Sequence, residues 1–124
     1  MKIVNLTQHA ATPDQQEAGV FDLPNAEREQ LKKLLTFQSP PSASEIADRA
    51  SRIAGMAFAT GAARAMIGGA PYLMAALERE LRAGGVSPLY AFSVREVQET
   101  TDSQTGEVRK VSIFRHAGFV EPPL

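Results

Sequence analysis

Hydrophobic positions near the start of the chain predict a short strand, a short helix and a second strand. The apolar run at residues 2–6 is typical of a buried strand. Thr12, Pro13 and Gln15 predict the start of a helix, because threonine can cap it, proline suits its first position and Gln15 has capping-box spacing. Residues 20–23 predict a second short strand.

The middle of the chain has helical periodicity. Asn25 is the predicted N-cap of a helix over residues 26–35, and paired prolines predict a loop over residues 38–42. Ser42 or Ser44 is expected to cap a second helix. The apolar residues of that helix recur at helical spacing: Ile46, Ala50, Ile53, Ala54, Ala57 and Phe58.

A strand–helix–strand unit follows. Residues 62–67 predict a strand, residues 68–71 (Gly-Gly-Ala-Pro) a tight turn, and residues 71–83 a helix that glycines end. Residues 88–93 predict the next strand. This order of elements is typical of a right-handed βαβ crossover between parallel strands.

The C-terminal third predicts a β-hairpin over residues 94–114, with a polar turn at residues 102–106 and a tail at residues 121–124. The 124 residues suffice for a single domain. The predicted fold is α/β: a small, Rossmann-like, three-layer domain with a mostly parallel sheet and a C-terminal β-hairpin.

Composition narrows the function. Thirteen Lys and Arg against 14 Asp and Glu argue against duplex nucleic acid as a partner, because duplex binding usually requires a basic excess. The chain has no cysteine, which excludes a thiol nucleophile and thiolate metal sites. The carboxylates scatter over predicted helix surfaces, so no metal site and no cofactor are predicted. No apolar run approaches 18 residues, so we expect a cytoplasmic protein without membrane contact.

Ligands of open parallel sheets bind outside the carboxyl ends of the strands. The residues that the predicted strands deliver there are Asn5, Thr7, His9, Gly68, Gly69, Ala70, Ser93 and Arg95. The two glycines permit close backbone approach, and the helix start that follows offers amides to a phosphate. The alternative is that the glycines only form a tight turn, and that Asn5 and Thr7 cap the loop after their strand.

His9 and His116 are the two histidines of the chain, and together they are candidates for an acid/base pair. Arg95 or Arg115 is a candidate to stabilise charge that develops on a phosphate. The alternative is that His9 is an ordinary loop residue and that His116 is a hydrogen-bonded strand residue.

The Asn5-Leu6-Thr7-Gln8-His9 segment and the Gly-Gly-Ala-Pro turn at residues 68–71 resemble small CRISPR-associated Rossmann-fold (CARF-like) proteins. Some proteins of that group bind cyclic oligoadenylate second messengers, and others cleave them as ring nucleases. The spacing of Thr7 and His9 differs from the adjacent serine and histidine of that group.

The resemblance implies a symmetric homodimer with a cyclic oligonucleotide in a shared cleft. Asn5 and Thr7 would contact this ligand, and the amides of the glycine turn would hold its phosphates. Cleavage would need no metal, because a ribose 2′-hydroxyl attacks the neighbouring phosphate while Arg95, Arg115 or His116 stabilises the charge.

Two functions are therefore expected. The first is binding of a nucleotide-type second messenger or another phosphate-bearing small ligand, with or without metal-free cleavage. The alternative is a non-enzymatic interaction protein of phage or prophage type, which would use its C-terminal hairpin for contact with a partner or a second copy.

Overall fold

A computed structural model describes residues 2–124 and confirms the α/β fold. The elements are β1 (Ile3–Asn5), α1 (Pro13–Glu17), β2 (Val20–Asp22), α2 (Asn25–Leu35), α3 (Ala43–Thr60), β3 (Arg64–Ile67), α4 (Pro71–Ala83), β4 (Ser87–Thr101) and β5 (Val108–Val120). Within the described residues, no helix is both long and apolar enough to cross a lipid bilayer.

Local capping signals set most of the helix ends. Thr12 caps α1 through both bonds of a capping box, and Ser42 caps α3 by accepting a bond from the Glu45 amide. The prediction that Asn25 is the N-cap of α2 is wrong. Pro24 takes the capping position, and Asn25 becomes the first helical residue. Pro24 is extended at that position and has no side-chain acceptor, so α2 begins without a side-chain cap.

The five strands form one sheet in the order β2-β1-β3-β4-β5. The first four strands in this order run parallel, and β5 pairs antiparallel with β4. From β1 the chain moves outward to β2 and then crosses back over β1 to β3. The strand order therefore reverses between β1 and β3, as in flavodoxin-like sheets.

Both faces of the sheet are covered, which gives the three-layer, Rossmann-like architecture. The larger core lies against α2, α3 and α4, and includes Val4, Ile53, Ile67 and Leu77. The opposite face has a smaller apolar cluster next to α1: Ile3, Ala11, Val20, Met66 and Leu89, with Phe119 packed against it.

Strand β4 does not end where the sequence predicts. The prediction assigned residues 88–93 to one strand and residues from 94 onward to a hairpin, whereas a single strand, β4, continues without interruption to Thr101. Its pairing with β3 ends at Tyr90, and β5 supplies hydrogen bonds to the rest of the strand. Residues 93–116 form a two-stranded ribbon, here called the arm, that extends roughly 30 Å beyond the sheet.

A β-bulge lies at the base of the arm. Phe92 pairs with Gly118 but the next residue, Ser93, pairs with His116, so Ala117 is an extra residue on β5. Gly118 has a φ of +144°, a conformation that side-chain-bearing residues rarely adopt.

Candidate ligand-binding cleft

A cleft of about 660 Å³ opens at the carboxyl ends of β1 and β3, beside the point at which β4 leaves β3. This is the edge of the sheet at which the strand order reverses, the usual ligand position in such folds. The lining comes from the loop after β1, the end of β3 and the middle of β4: Thr7, Gln8, His9, Ala10, Thr12, Gln15, Met66, Ile67, Gly68, Gly69, Tyr90 and Ala91.

Asn5 organises the loop behind this cleft and does not line it. Its side chain is 3% exposed, and both of its polar atoms are fully engaged. Nδ2 donates to the carbonyl oxygen of His9 at 2.7 Å and to Oδ1 of Asp22 at 2.8 Å. Oδ1 accepts from the amide of Thr7 at 2.9 Å and from its hydroxyl at 2.7 Å. The geometry therefore favours the loop-capping interpretation of Asn5.

Asp22 completes this network from the neighbouring strand. Its Oδ1 also accepts a bond from the amide of Ala11 at 3.0 Å, so β2 holds both ends of the loop. Sequence reasoning did not single out Asp22. The available signal was that Asn5 and Asp22 are polar residues at the ends of adjacent parallel strands, where they pair in register.

The glycine turn forms the opposite wall of the cleft. A Cβ on Gly68 would lie 3.6 Å from Cγ2 of Thr7, whereas a Cβ on Gly69 would lie only 3.3 Å from Cε of Met74. Gly69 also has a φ of +157°. Within residues 2–124, no side chain caps α4, and the amides of Gly69 and Ala70 make no hydrogen bond. These amides are therefore available to a ligand.

The start of α1 contributes further donors. Oγ1 of Thr12 accepts from the Gln15 amide, which leaves its own hydrogen available. Oε1 of Gln15 accepts from the Thr12 amide, and the two hydrogens on Nε2 of the same carboxamide are free to donate. Gln8, Thr12 and Gln15 line the cleft although they were not predicted as site residues. All three belong to the loop and helix start after β1, the region to which the strand-end rule points.

The two histidines lie in different parts of the molecule. His9 is exposed and lines the cleft. His116 lies at the base of the arm, opposite Ser93, with its ring 4.6 Å from that of Phe119. Its Nδ1 is buried and has no hydrogen-bond partner within the described residues. The structure does not bring the two imidazoles together in the cleft.

The predicted arginines and Ser93 belong to the arm and are not among the lining residues. Arg95 donates to Oγ of Ser112 from Nε and Nη2, at 3.1 and 2.8 Å. Arg115 pairs with Glu96 at 3.1 Å. The register places Arg95 and Arg115 on opposite faces of the arm. Because β4 leaves β3 at Tyr90, it is Tyr90 and Ala91 that line the cleft instead of Ser93 and Arg95.

Comparison with known proteins adds one result. A family model described as "Uncharacterized protein MJ1673 family" matches residues 1–120. The chain belongs to the MJ1673 family. No curated protein and no solved structure matches the chain. The range matched by the MJ1673 family includes both the cleft and the arm.

In this MJ1673-family chain, Tyr90 fixes the wall of the cleft to α4. Its hydroxyl donates to Oε2 of Glu78 at 2.6 Å. Burial raises the pKa of Tyr90 above its ordinary value, and the adjacent Glu78 carboxylate raises it further. Arg82 lies 3.7 Å from Glu78 and donates to the carbonyl oxygens of Pro122 and Pro123, so α4 also holds the C-terminal tail.

A second groove of about 690 Å³ lies between α2 and α3 of the MJ1673-family chain. Its lining is mostly apolar and includes Leu23, Leu34 and Met56. It is slightly larger than the cleft, but its lining includes no residue of β1, β3 or β4, the strands at which the order reverses. The cleft is the better candidate site, because polar groups converge there.

Proposed function

We propose that the cleft binds a phosphate-bearing ligand of nucleotide type. The observation that carries this proposal is the position of the glycine turn at the reversal of strand order. In sheets of this topology, that position holds ligands, and amides at the start of the following helix bind phosphate. The amides of Gly69 and Ala70 fit this role because they have no acceptor within the described chain.

The chemistry of the lining supports an anionic ligand. None of the described lining residues is Asp, Glu, Lys or Arg. A phosphate would therefore meet no like charge from the lining, and it would accept hydrogen bonds from amides, the Thr12 hydroxyl and the Gln15 carboxamide. Carboxamides also suit the donor and acceptor edges of a nucleobase.

The size of the cleft bears on the class of ligand. Small-molecule sites usually enclose roughly 300–1,000 Å³, and this cleft has about 660 Å³. A ring of several nucleotides exceeds one site of this size. The proposed cyclic oligonucleotide, which the CARF-like resemblance implies, would therefore span the clefts of two copies.

Metal-free cleavage is a further step of the same proposal. The ribose 2′-oxygen would bond to the neighbouring phosphorus as the bond to the 5′-oxygen breaks, giving a 2′,3′-cyclic phosphate and a 5′-hydroxyl. His9 is the histidine that lines the cleft, and it is the candidate to accept the proton of the 2′-hydroxyl, while the departing 5′-oxygen takes a proton from water. Because Arg95 and Arg115 lie on opposite faces of the arm, at most one of them can face a given phosphate.

A thermal-shift screen tests ligand binding. It would use cyclic di-, tri-, tetra- and hexanucleotides and common mononucleotides, with chromatography of each ligand afterwards to detect cleavage. A ligand at a hundredfold excess over its Kd stabilises the folded state by about 2.7 kcal/mol. His9→Ala should weaken binding, and the matched variant His116→Ala should not. Absence of a shift with every nucleotide would overturn the proposal.

A second candidate function is a protein–protein contact through the arm, without enzymatic activity. Within residues 2–124, seven of the ten large hydrophobic side chains that are exposed belong to β4 and β5: Phe92, Val94, Val97, Val108, Val111, Phe114 and Val120. Apolar surface concentrated in this way is typical of an interaction site. Its natural partner classes are another protein and a second copy of this chain.

A shortened arm tests the second function. Replacing residues 97–112 with Asn-Gly joins Glu96 to Ile113, which already pair, through a two-residue hairpin turn. The variant should lose its assembly in sedimentation velocity and keep any ligand-induced thermal shift. Unchanged assembly after shortening would contradict a role for the arm.

A further inference from the structure

Strand β5 has a free outer edge. It is the last strand in the sheet order, and it pairs only with β4 among the described strands. A long edge strand presents unpaired amides and carbonyls that can bind another strand. Within the arm, β4 also has no second partner, because β3 ends opposite Tyr90.

The arm exposes apolar side chains on both of its faces. The register places Val94, Val111 and Ile113 on one face. It places Val97, Val108 and Phe114 on the other, where Phe114 is 74% exposed and Val108 57%. A two-stranded ribbon is marginally stable by itself in water. This arm therefore needs a further strand or layer to become well ordered.

Charges on the arm suit a second copy as that partner. Four cations and four carboxylates balance within it: Arg95, Arg109, Lys110 and Arg115 against Glu96, Glu99, Asp102 and Glu107. Two arms would therefore meet without net repulsion. The charges are also unevenly spread: residues 98–111 towards the tip have three carboxylates and two cations, whereas residues 93–97 and 112–116 at the base have two cations and one carboxylate. An antiparallel arrangement brings the slightly acidic tip of each arm beside the slightly basic base of the other.

We propose that β5 pairs antiparallel with β5 of a second copy across a two-fold axis, with Val111 opposite the partner's Val111. This proposal rests on the second candidate function and specifies its partner. The pairing would join two five-stranded sheets into one continuous sheet. It would also satisfy the free edge of β5 in both copies.

Charge selects this register over its neighbours. Centring the axis on Lys110 would oppose two ammonium groups, and like charges directly opposite each other are destabilising. Centring the axis on Ser112 would place Arg109 opposite the partner's Arg115 and Arg115 opposite the partner's Arg109, which gives two pairs of like charges. Centring it on Val111 places Phe114 opposite the partner's Val108 and Arg115 opposite the partner's Glu107.

Disulfide formation tests this register directly, because the chain has no cysteine of its own. Opposite residues in an antiparallel pair have Cα atoms about 4.5–5.5 Å apart, within the range of a disulfide. Val111→Cys should therefore cross-link to itself. Ile113→Cys is the matched control, since the two copies of residue 113 would lie about 14 Å apart. Val111 is 46% exposed on the arm, so its replacement leaves the core intact.

The full-length variants would be oxidised with glutathione disulfide after sedimentation equilibrium of the native chain. We expect a native dimer and at least tenfold more covalent dimer from Val111→Cys than from Ile113→Cys. Equal yields, preferential cross-linking of Ser112→Cys, or a monomeric native chain would overturn the proposal. A parallel thermal-shift measurement reports nucleotide binding separately, so failure of the dimer and failure of the cleft are distinguishable. An arm that binds only a different protein would give a monomer whose cysteine variants do not cross-link.

Discussion

Asn5 and Asp22 are directly opposite each other at the carboxyl ends of β1 and β2, and their side chains are hydrogen-bonded over 2.8 Å. The same pair anchors the loop between the two strands, through the carbonyl of His9 and the amide of Ala11. The loop that lines the cleft is therefore held from beneath by two residues that do not line it.

Loss of the Asn5 side chain should destabilise the fold. Asn5→Ala leaves the Thr7 amide and the His9 carbonyl without their buried partner, which should lower the free energy of unfolding by about 2–3 kcal/mol. Urea denaturation followed by circular dichroism measures this change. The control is Asn25→Ala, which removes an exposed side chain and should cost less than about 0.5 kcal/mol. Similar costs for the two variants would contradict the anchoring role.

The two glycines of the turn should respond differently to alanine. Gly69→Ala combines an unfavourable φ with a 3.3 Å contact to Met74, so we expect a loss of about 1–3 kcal/mol in unfolding free energy. Gly68→Ala makes an ordinary contact with Thr7 and should change stability by no more than about 1 kcal/mol. Urea midpoints of the two variants provide the comparison. A larger loss for Gly68→Ala would show that the turn has a different geometry.

Gly84 gives Phe58 the space for its ring. A Cβ on Gly84 would overlap Cζ of Phe58, so Gly84→Ala must displace the ring, at a cost of about 1–3 kcal/mol. The same substitution in a Phe58→Ala background should cost almost nothing. A double-mutant cycle by chemical denaturation measures this coupling. Additive effects of the two substitutions would exclude the proposed steric conflict.

Alkaline pH should destabilise the protein through Tyr90. Its pKa is raised in the folded state, above the ordinary value near 10 that applies in the unfolded chain. The unfolded state therefore loses this proton first. The contribution of protonated Tyr90 to the free energy of unfolding is fully present below pH 10 and declines as the pH rises beyond that value.

Tyr90→Phe should make the fall of stability above about pH 10 shallower than in the native chain. The control is Tyr72→Phe, which removes the other tyrosine, whose side chain is 48% exposed. Thermal unfolding at a series of pH values would record both variants. Identical alkaline profiles for Tyr90→Phe and the native chain would refute the role of Tyr90.

Periodicity and capping predicted most of the domain. The capping box at Thr12, the Ser42 cap and the strand–turn–helix–strand unit around Gly68 are local signals, because each depends on residues close in sequence. The length of β4 is not a local property. Its alternation persists to Thr101, and the position at which it separates from the sheet depends on where β3 ends.

The same distinction applies to the candidate site. Thr7, His9, Gly68 and Gly69 line the cleft at the position that the strand-end rule indicates, since that rule requires only the order of elements. Ser93 does not line the cleft, because β3 ends opposite Tyr90 and Ser93 therefore lies beyond the sheet, at the base of the arm. The role of Asn5 required knowledge of Asp22, and thus of the register between β1 and β2.

The bulge at Ala117 sets the phase of the whole arm. If Ala117 paired regularly with Ser93 and was not bulged out, the pairing beyond Phe92 would shift by one position, and Arg95 would lie opposite Arg115. Lys110 would move from Glu99 to Thr100. Phe114 would also leave the face that it shares with Phe119. One unpaired alanine at the base thus decides, for every residue of β5 towards the tip, which neighbour it meets and which way it faces.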